Sequence, residues 1–171
     1  MAATRYTAGK NPYGYKRLGD LMVFLFFGII GVCATSFILS GTWHWLALLP
    51  ASAVGFLCVS VLNLNNLRDI ESDRKAGKKT IAGFLGIKKT KVYHILLVVS
   101  AFVCVFLFLN KTTNVPLTSF MVLITLPFFL ALCYRVWKTK VLQKIDALMK
   151  PQALLSLLFC FLFGCGLWML G

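Results

Sequence analysis

The chain has 171 residues, with 18 Lys+Arg against 5 Asp+Glu and a net charge of +13, yet it is 59% hydrophobic and only 13% charged. A soluble domain carries about 25% charged residues, and a disordered basic arm has little apolar content, so both are excluded. Binding to nucleic acid needs a basic surface in water, whereas these lysines sit between long apolar runs, so no nucleic-acid partner is expected.

In chain order, residues Met1 to Asp20 contain Tyr, Gly, Asn and basic residues with no apolar stretch, so no cleaved leader is expected. Apolar runs then cover about 21–39, 43–64, 92–109, 115–134 and 153–170. Gly41 ends the first run, and Pro50 and Gly55 lie inside the second, where a membrane helix tolerates them. Each run is near the ~20 residues that cross a ~30 Å hydrocarbon layer. The expected fold is all-α, a single transmembrane bundle of five spans over residues 1–171 embedded in a lipid bilayer. Trp43, Trp45, Tyr134, Trp137 and Trp168 fall near run ends, as interfacial aromatics do. The six cysteines lie inside apolar runs without a CxxC pair and read as packing residues.

Five spans alternate sides, which sorts the cations. Every Lys and Arg except Lys111 falls before the first span, after the second or after the fourth. The positive-inside rule makes that side cytoplasmic. The acidic residues Asp20, Asp69, Glu71, Asp73 and Asp146 share it, so chemistry that needs ionisable groups is expected to face the cytoplasm. Within the last basic stretch, Val136, Leu142, Ile145 and Leu148 stand among lysines and suggest an amphipathic segment on the anionic inner leaflet. His44 and His94 lie near run ends with no partner at ligand spacing, so interfacial hydrogen bonding is expected for both.

The informative segment is Asn63 to Gly86, NLNNLRDIESDRKAGKKTIAGFLG, which continues the second run. Asn65, Asp69 and Asp73 are spaced i, i+4, i+8 and form one stripe on a helix, with Asn66 beside it. Carboxylates and carboxamides at the end of a membrane helix are costly unless they pair or bind something. Hard oxygen donors suit Mg²⁺, which takes one or two carboxylates and leaves the rest to water and phosphate. Arg68, Arg74, Lys78 and Lys79 flank the stripe, as cations around a diphosphate would. Spacing alone leaves open the alternative that these residues only pair with one another in a solvated loop.

The stretch NNLRDIESDRKAGKKTIAGFLG resembles the second polar motif of the intramembrane aromatic prenyltransferases, the UbiA superfamily. The segment YTAGKNPYGYKRLGD at Tyr6 to Asp20 is similar to the Tyr-Gly-Tyr loop of the naphthoate-specific branch, departing from it at Ala8, Arg17 and Asp20. The resemblance implies a bundle of about nine helices with two aspartate-rich motifs facing each other across a cavity. It further implies transfer of a polyprenyl group from a prenyl diphosphate to 1,4-dihydroxy-2-naphthoate, with decarboxylation, in menaquinone biosynthesis. By resemblance, Asn65, Asp69 and Asp73 are the catalytic Mg²⁺ ligands, and Arg68, Asn66 and Lys78 bind the diphosphate. For Tyr13 and Tyr15 two readings stay open: contact with or guidance of the acceptor, and anchoring of the loop at the lipid headgroups. The other acidic motif has no counterpart, and Asp20 and Asp146 stand isolated. The chain is therefore expected to be the C-terminal part of such an enzyme, lacking its N-terminal helices and inactive alone. Two alternatives stay open: a different aromatic acceptor, and a non-catalytic small membrane protein.

Overall fold

The computed structural model describes residues 17–112 and 117–168. All regular structure among them is helical. Five helices are long and apolar enough to cross a membrane: α1 (Gly19–Ser40), α2 (Trp45–Arg68), α4 (Ile81–Lys111), α5 (Leu117–Lys138) and α6 (Leu142–Leu167). A short helix, α3 (Ile70–Lys75), follows α2 directly. At 1.5 Å per residue, each of the five exceeds the ~30 Å hydrocarbon thickness.

Helix α2 is the hub. It packs most extensively on α4 and also contacts α1 and α6, while α5 lies against α6. Its buried residues, from Ala51 to Leu67, cover most of its circumference and leave one side, that of Val54, Cys58, Val61 and Asn65, less covered. The α1–α2 contact is backbone on backbone: a Cβ added at Gly28 would come within 2.6 Å of the Ala51 carbonyl oxygen and the Gly55 Cα. A Cβ at Gly55 would meet the Phe24 ring at 2.7 Å. Small residues allow this approach between membrane helices, where van der Waals packing drives association. The same stretch of α1, Phe24–Ile30, is π-helical.

Two apolar clusters fill the interior. One joins Ala53 and Leu57 of α2 to Val98, Ala101 and Val105 of α4 and to Phe129 and Phe159 of α5 and α6. Phe102, Phe129 and Phe159 meet edge-to-face there, with centroids 5.3–6.2 Å apart. The second cluster, Leu64, Leu67, Leu132, Val136, Leu142, Ile145 and Leu148, sits at the end of the bundle that carries the polar segment. Large apolar side chains such as Ile38, Leu39, Leu96, Phe106 and Phe161 are exposed, which fits a lipid-facing surface.

The helices outrun the apolar runs at the basic end. Helix α4 begins at Ile81, well before the run at about Val92, and α6 begins at Leu142, not near Ala153. Hydropathy fades where lysines start, but helical hydrogen bonding continues through Lys88, Lys89 and Lys91. One break interrupts it: Gly86 takes φ +75°, and Thr90 Oγ1 donates to the Gly86 carbonyl at 2.8 Å across the kink. Lys91, read as a loop cation, is buried and donates to the carbonyls of Trp137 (3.1 Å) and Thr139 (2.5 Å), closing the end of α5.

Two expectations need correction. The basic stretch 135–150 is no surface helix; it is the end of α5, a short turn and the start of α6. Its apolar residues Val136, Leu142, Ile145 and Leu148 are buried in the second cluster, so they serve the protein core and not the leaflet. His94 is fully buried, because α4 starts so early that His94 falls inside the bundle and not at an interface. His44 does remain exposed, sharing a 2.8 Å hydrogen bond with Thr42.

The Gly28–Gly55 crossing makes a direct prediction. Gly28→Ala should destabilise the protein by about 1–3 kcal/mol, the usual cost of overpacking, whereas Gly164→Ala, with open space around it, should be near neutral. Thermal unfolding in detergent measures both; equal midpoints for the two variants would contradict the close crossing.

Candidate functional site

The polar segment starts on the last turn of α2 and passes into α3 through Asp69, whose φ of −96° and ψ of 11° bend the chain slightly. The helical ladder survives the bend. The Asp69 N–H donates to the Asn65 carbonyl (3.1 Å) and the Asp73 N–H to the Asp69 carbonyl (2.8 Å). Asn65, Asp69 and Asp73 thus keep the one-turn spacing read from the sequence. Leu64 and Leu67, both fully buried, clamp this turn onto the second apolar cluster.

Arg68 organises one half of the site. Its Nε and Nη2 donate to the two Asp69 carboxylate oxygens at 2.8 and 2.7 Å, a bidentate fork. Nη2 also donates to Asn65 Oδ1 at 2.8 Å. On its far side, Nη1 donates to Asp146 Oδ1 at 2.5 Å and lies 3.4 Å from Met149 Sδ. The hydrogen bonds from Arg68 hold the Asp69 carboxyl below its ordinary range, with Lys78 adding a smaller charge effect. Asp69 is therefore anionic at neutral pH.

Lys78 organises the other half. Helix α3 ends in a turn in which Gly77 takes φ +70°, the Gly77 N–H donates to the Arg74 carbonyl and the Lys78 N–H to the Asp73 carbonyl. This is a Schellman arrangement, which needs a residue at ease in the left-handed region, hence glycine. The turn folds Lys78 back over α3, and its Nζ lies 3.2 Å from both oxygens of Asp73.

The remaining expected residues divide. Asn66 is buried and turns away from the Asn65 side, lining a small cleft with Arg17, Asp20, Lys78, Lys79 and Thr80. A wider cleft of about 360 Å³ adjoins it, lined by Arg17, Arg74, Lys78 and Lys79 together with Phe84. Arg17 stacks over the Phe84 ring at 4.3 Å, and Tyr93 donates to Asp20 at 3.2 Å. Tyr13 and Tyr15 lie outside the described residues. Sequence reasoning missed Asp146, which it left isolated; no local pattern could link it to Arg68, 78 positions away.

The Asn65 side opens onto an apolar groove of about 580 Å³ between α1, α2 and α6, lined by Val23, Phe27, Leu57, Val61 and Leu157 among others. Asn65 and Met149 mark its polar end. Val54 and Cys160 are shared with a second apolar cavity of about 450 Å³, which reaches His44 at the other end of the bundle. The site thus joins a charged mouth to a long apolar trough. Among the described residues, no cluster of three or more His, Cys, Asp and Glu side chains could hold a metal ion alone. Two carboxylates and a carboxamide still suit Mg²⁺ when water and phosphate complete its shell.

Residues 2–163 match the model of the UbiA prenyltransferase family. The chain is 37% identical to a 1,4-dihydroxy-2-naphthoate octaprenyltransferase of Haemophilus influenzae over 98% of its own length and 54% of the relative's. It is 44% identical to the Escherichia coli protein of the same description over 63% of this chain and 35% of that protein. It is 30% identical to the UbiA prenyltransferase domain-containing protein 1 of Mus musculus over 91% of this chain and 45% of that protein. The chain therefore spans about half or less of the length of these relatives. No solved structure matches it. The match over residues 2–163 places this protein in the UbiA prenyltransferase family.

Proposed function

We propose that this chain forms one wall of an intramembrane prenyltransferase that moves a polyprenyl group from a prenyl diphosphate to 1,4-dihydroxy-2-naphthoate, with decarboxylation, in menaquinone biosynthesis. The observation that carries this reading is the joining of a charged mouth, Asn65, Arg68 and Asp69, to an apolar groove. A ligand with a polyanionic head and a long hydrocarbon tail fits both parts at once. The names of the Haemophilus and Escherichia relatives support the naphthoate acceptor.

The site residues divide by role in this reading. Asn65, Asp69 and Asp73 offer the oxygen donors for Mg²⁺, which when bound neutralises charge on the leaving diphosphate. Arg68 and Lys78, which pair with Asp69 and Asp73, would be placed to donate to phosphate oxygens if those carboxylates held a cation. Asn66 faces the separate Arg17–Lys79 cleft on the other side of α2, so it takes no part in holding the head group at this mouth. As the allylic C–O bond breaks, the diphosphate leaves with the electron pair. The naphthoate ring attacks the allylic carbon, forming a C–C bond; the proton lost from the prenylated carbon is matched by the one taken up where CO₂ leaves. Tyr13 and Tyr15 act toward the acceptor. The apolar groove keeps water from the electron-poor carbon.

The family's reaction uses two acidic motifs, and the described residues carry one. The second wall is supplied by further helices of the same enzyme. The lysine and arginine distribution supports a cell-membrane protein with this site on the cytoplasmic face.

Two experiments test the proposal. Membranes bearing this chain, alone or with the N-terminal half of the Haemophilus relative, would receive a polyprenyl diphosphate, Mg²⁺ and 1,4-dihydroxy-2-naphthoate. Product is expected only with the added half, and Asp69→Asn should lower turnover by about 10²-fold or more, as loss of a charge-stabilising group does. Transfer by the chain alone, a preference for hydroxybenzoate, or near-normal turnover in Asp69→Asn would each sink the corresponding part. In a cysteine-free background, Lys79→Cys should react with an impermeant maleimide only from the cytoplasmic side, and Lys111→Cys only from outside. The reverse pattern would overturn the orientation.

A further inference from the structure

Arg68 has five N–H donors, and the structure uses all of them. Three, from Nε and Nη2, go to Asp69 and Asn65; the two on Nη1 go to Asp146 and Met149. The guanidinium therefore straddles two elements. One side occupies the oxygens that the proposed metal site needs, and the other side is fixed to the start of α6.

The Asp146 carboxylate is 67% exposed, while its backbone begins the regular α-helical part of α6. Its neighbours Ile145 and Leu148 are buried in the same cluster as Leu64 and Leu67, which lie in the turn just before Arg68. Both ends of the ion pair thus stand on one apolar platform. Exposed ion pairs contribute little to stability, typically about 0–1 kcal/mol, so stability is a weak reason for this one. Its geometric consequence is larger. When Asn65 and Asp69 release Arg68 to take a cation, the Nη1 donors can stay on α6, so the guanidinium pivots instead of leaving.

We infer that Asp146 is a positioning residue: it keeps Arg68 at the mouth of the groove while Asn65 and Asp69 exchange the guanidinium for the divalent cation, leaving Nε and Nη2 free to meet a phosphate oxygen. This rests on the proposed role of Asn65 and Asp69 as metal ligands. Without Asp146, Arg68 has only Asp69 and Asn65 to hold, and it competes harder with the incoming cation.

The test is Mn²⁺ binding to the full chain in lipid nanodiscs, read from the loss of the free-ion EPR signal. Asp146→Asn should raise the Mn²⁺ Kd at least about threefold, within the range of couplings between contacting residues. Asp146→Glu should restore it to within about twofold. In an Arg68→Gln background, Asp146→Asn should have no further effect. Thermal midpoints for each variant in the same discs identify any that fail to fold, and Asp146→Glu then carries the comparison against Glu71→Gln. Wild-type binding that Asp69→Asn abolishes but Asp146→Asn leaves unchanged would overturn the inference alone. An equal loss with and without Arg68 would reduce it to a long-range charge effect and overturn it too. No Mn²⁺ binding by the wild-type chain would sink the metal reading and this inference with it.

Discussion

The bidentate fork from Arg68 to Asp69 is the contact on which the site depends. Two carboxylates at the end of a membrane helix are costly unless they are balanced. Arg68 balances Asp69, Lys78 balances Asp73, and each pair is built by a different local device. Arg68 reaches its partner from the last turn of α2. Lys78 reaches its partner only because Gly77 turns the chain back on itself. The same pairing that stabilises the acidic stripe keeps two cations beside it, placed to meet phosphate.

The bundle supports this arrangement by fixing α2 from several sides. Gly28 and Gly55 bring α1 into backbone contact near the middle of the bundle. The aromatic cluster of Phe102, Phe129 and Phe159 ties α4, α5 and α6 together behind α2. Leu64, Leu67, Ile145 and Leu148 lock the polar end, so Asp146 and Arg68 meet across a fixed gap. Between α1, α2 and α6 the packing leaves a trough, and the polar turn of α2 sits at its mouth. Function in this reading comes from that junction of charged and apolar surface more than from any single side chain.

Much of this was legible in the sequence. Five spans follow from apolar runs of the right length, and the i, i+4, i+8 spacing of Asn65, Asp69 and Asp73 survives a bend in the chain because helical hydrogen bonds continue through it. What stayed hidden has physical causes. Hydropathy stops at lysines, but Lys91 is buried and caps α5 through two carbonyls, so the true start of α4 was masked. The amphipathic pattern of 135–150 was real, yet its apolar face meets Leu64 and Leu67 and not lipid. Asp146 was invisible as a site residue because its link to Arg68 depends wholly on tertiary packing. Asn66 is next to Asn65 in sequence and faces another cleft, since successive helix positions diverge by about 100°.

The central claim is that the charged mouth and the apolar groove hold the two ends of one ligand. A prenyl diphosphate analogue carrying a photoreactive diazirine in its tail tests this most directly, with labelled peptides mapped in the presence and absence of Mg²⁺. Mg²⁺-dependent labelling of groove residues such as Leu57, Val61 and Leu157, lost in Asp69→Asn, is the expected result. Labelling confined to lipid-facing positions such as Phe106 and Ile38, unchanged by Mg²⁺ or by Asp69→Asn, would contradict it.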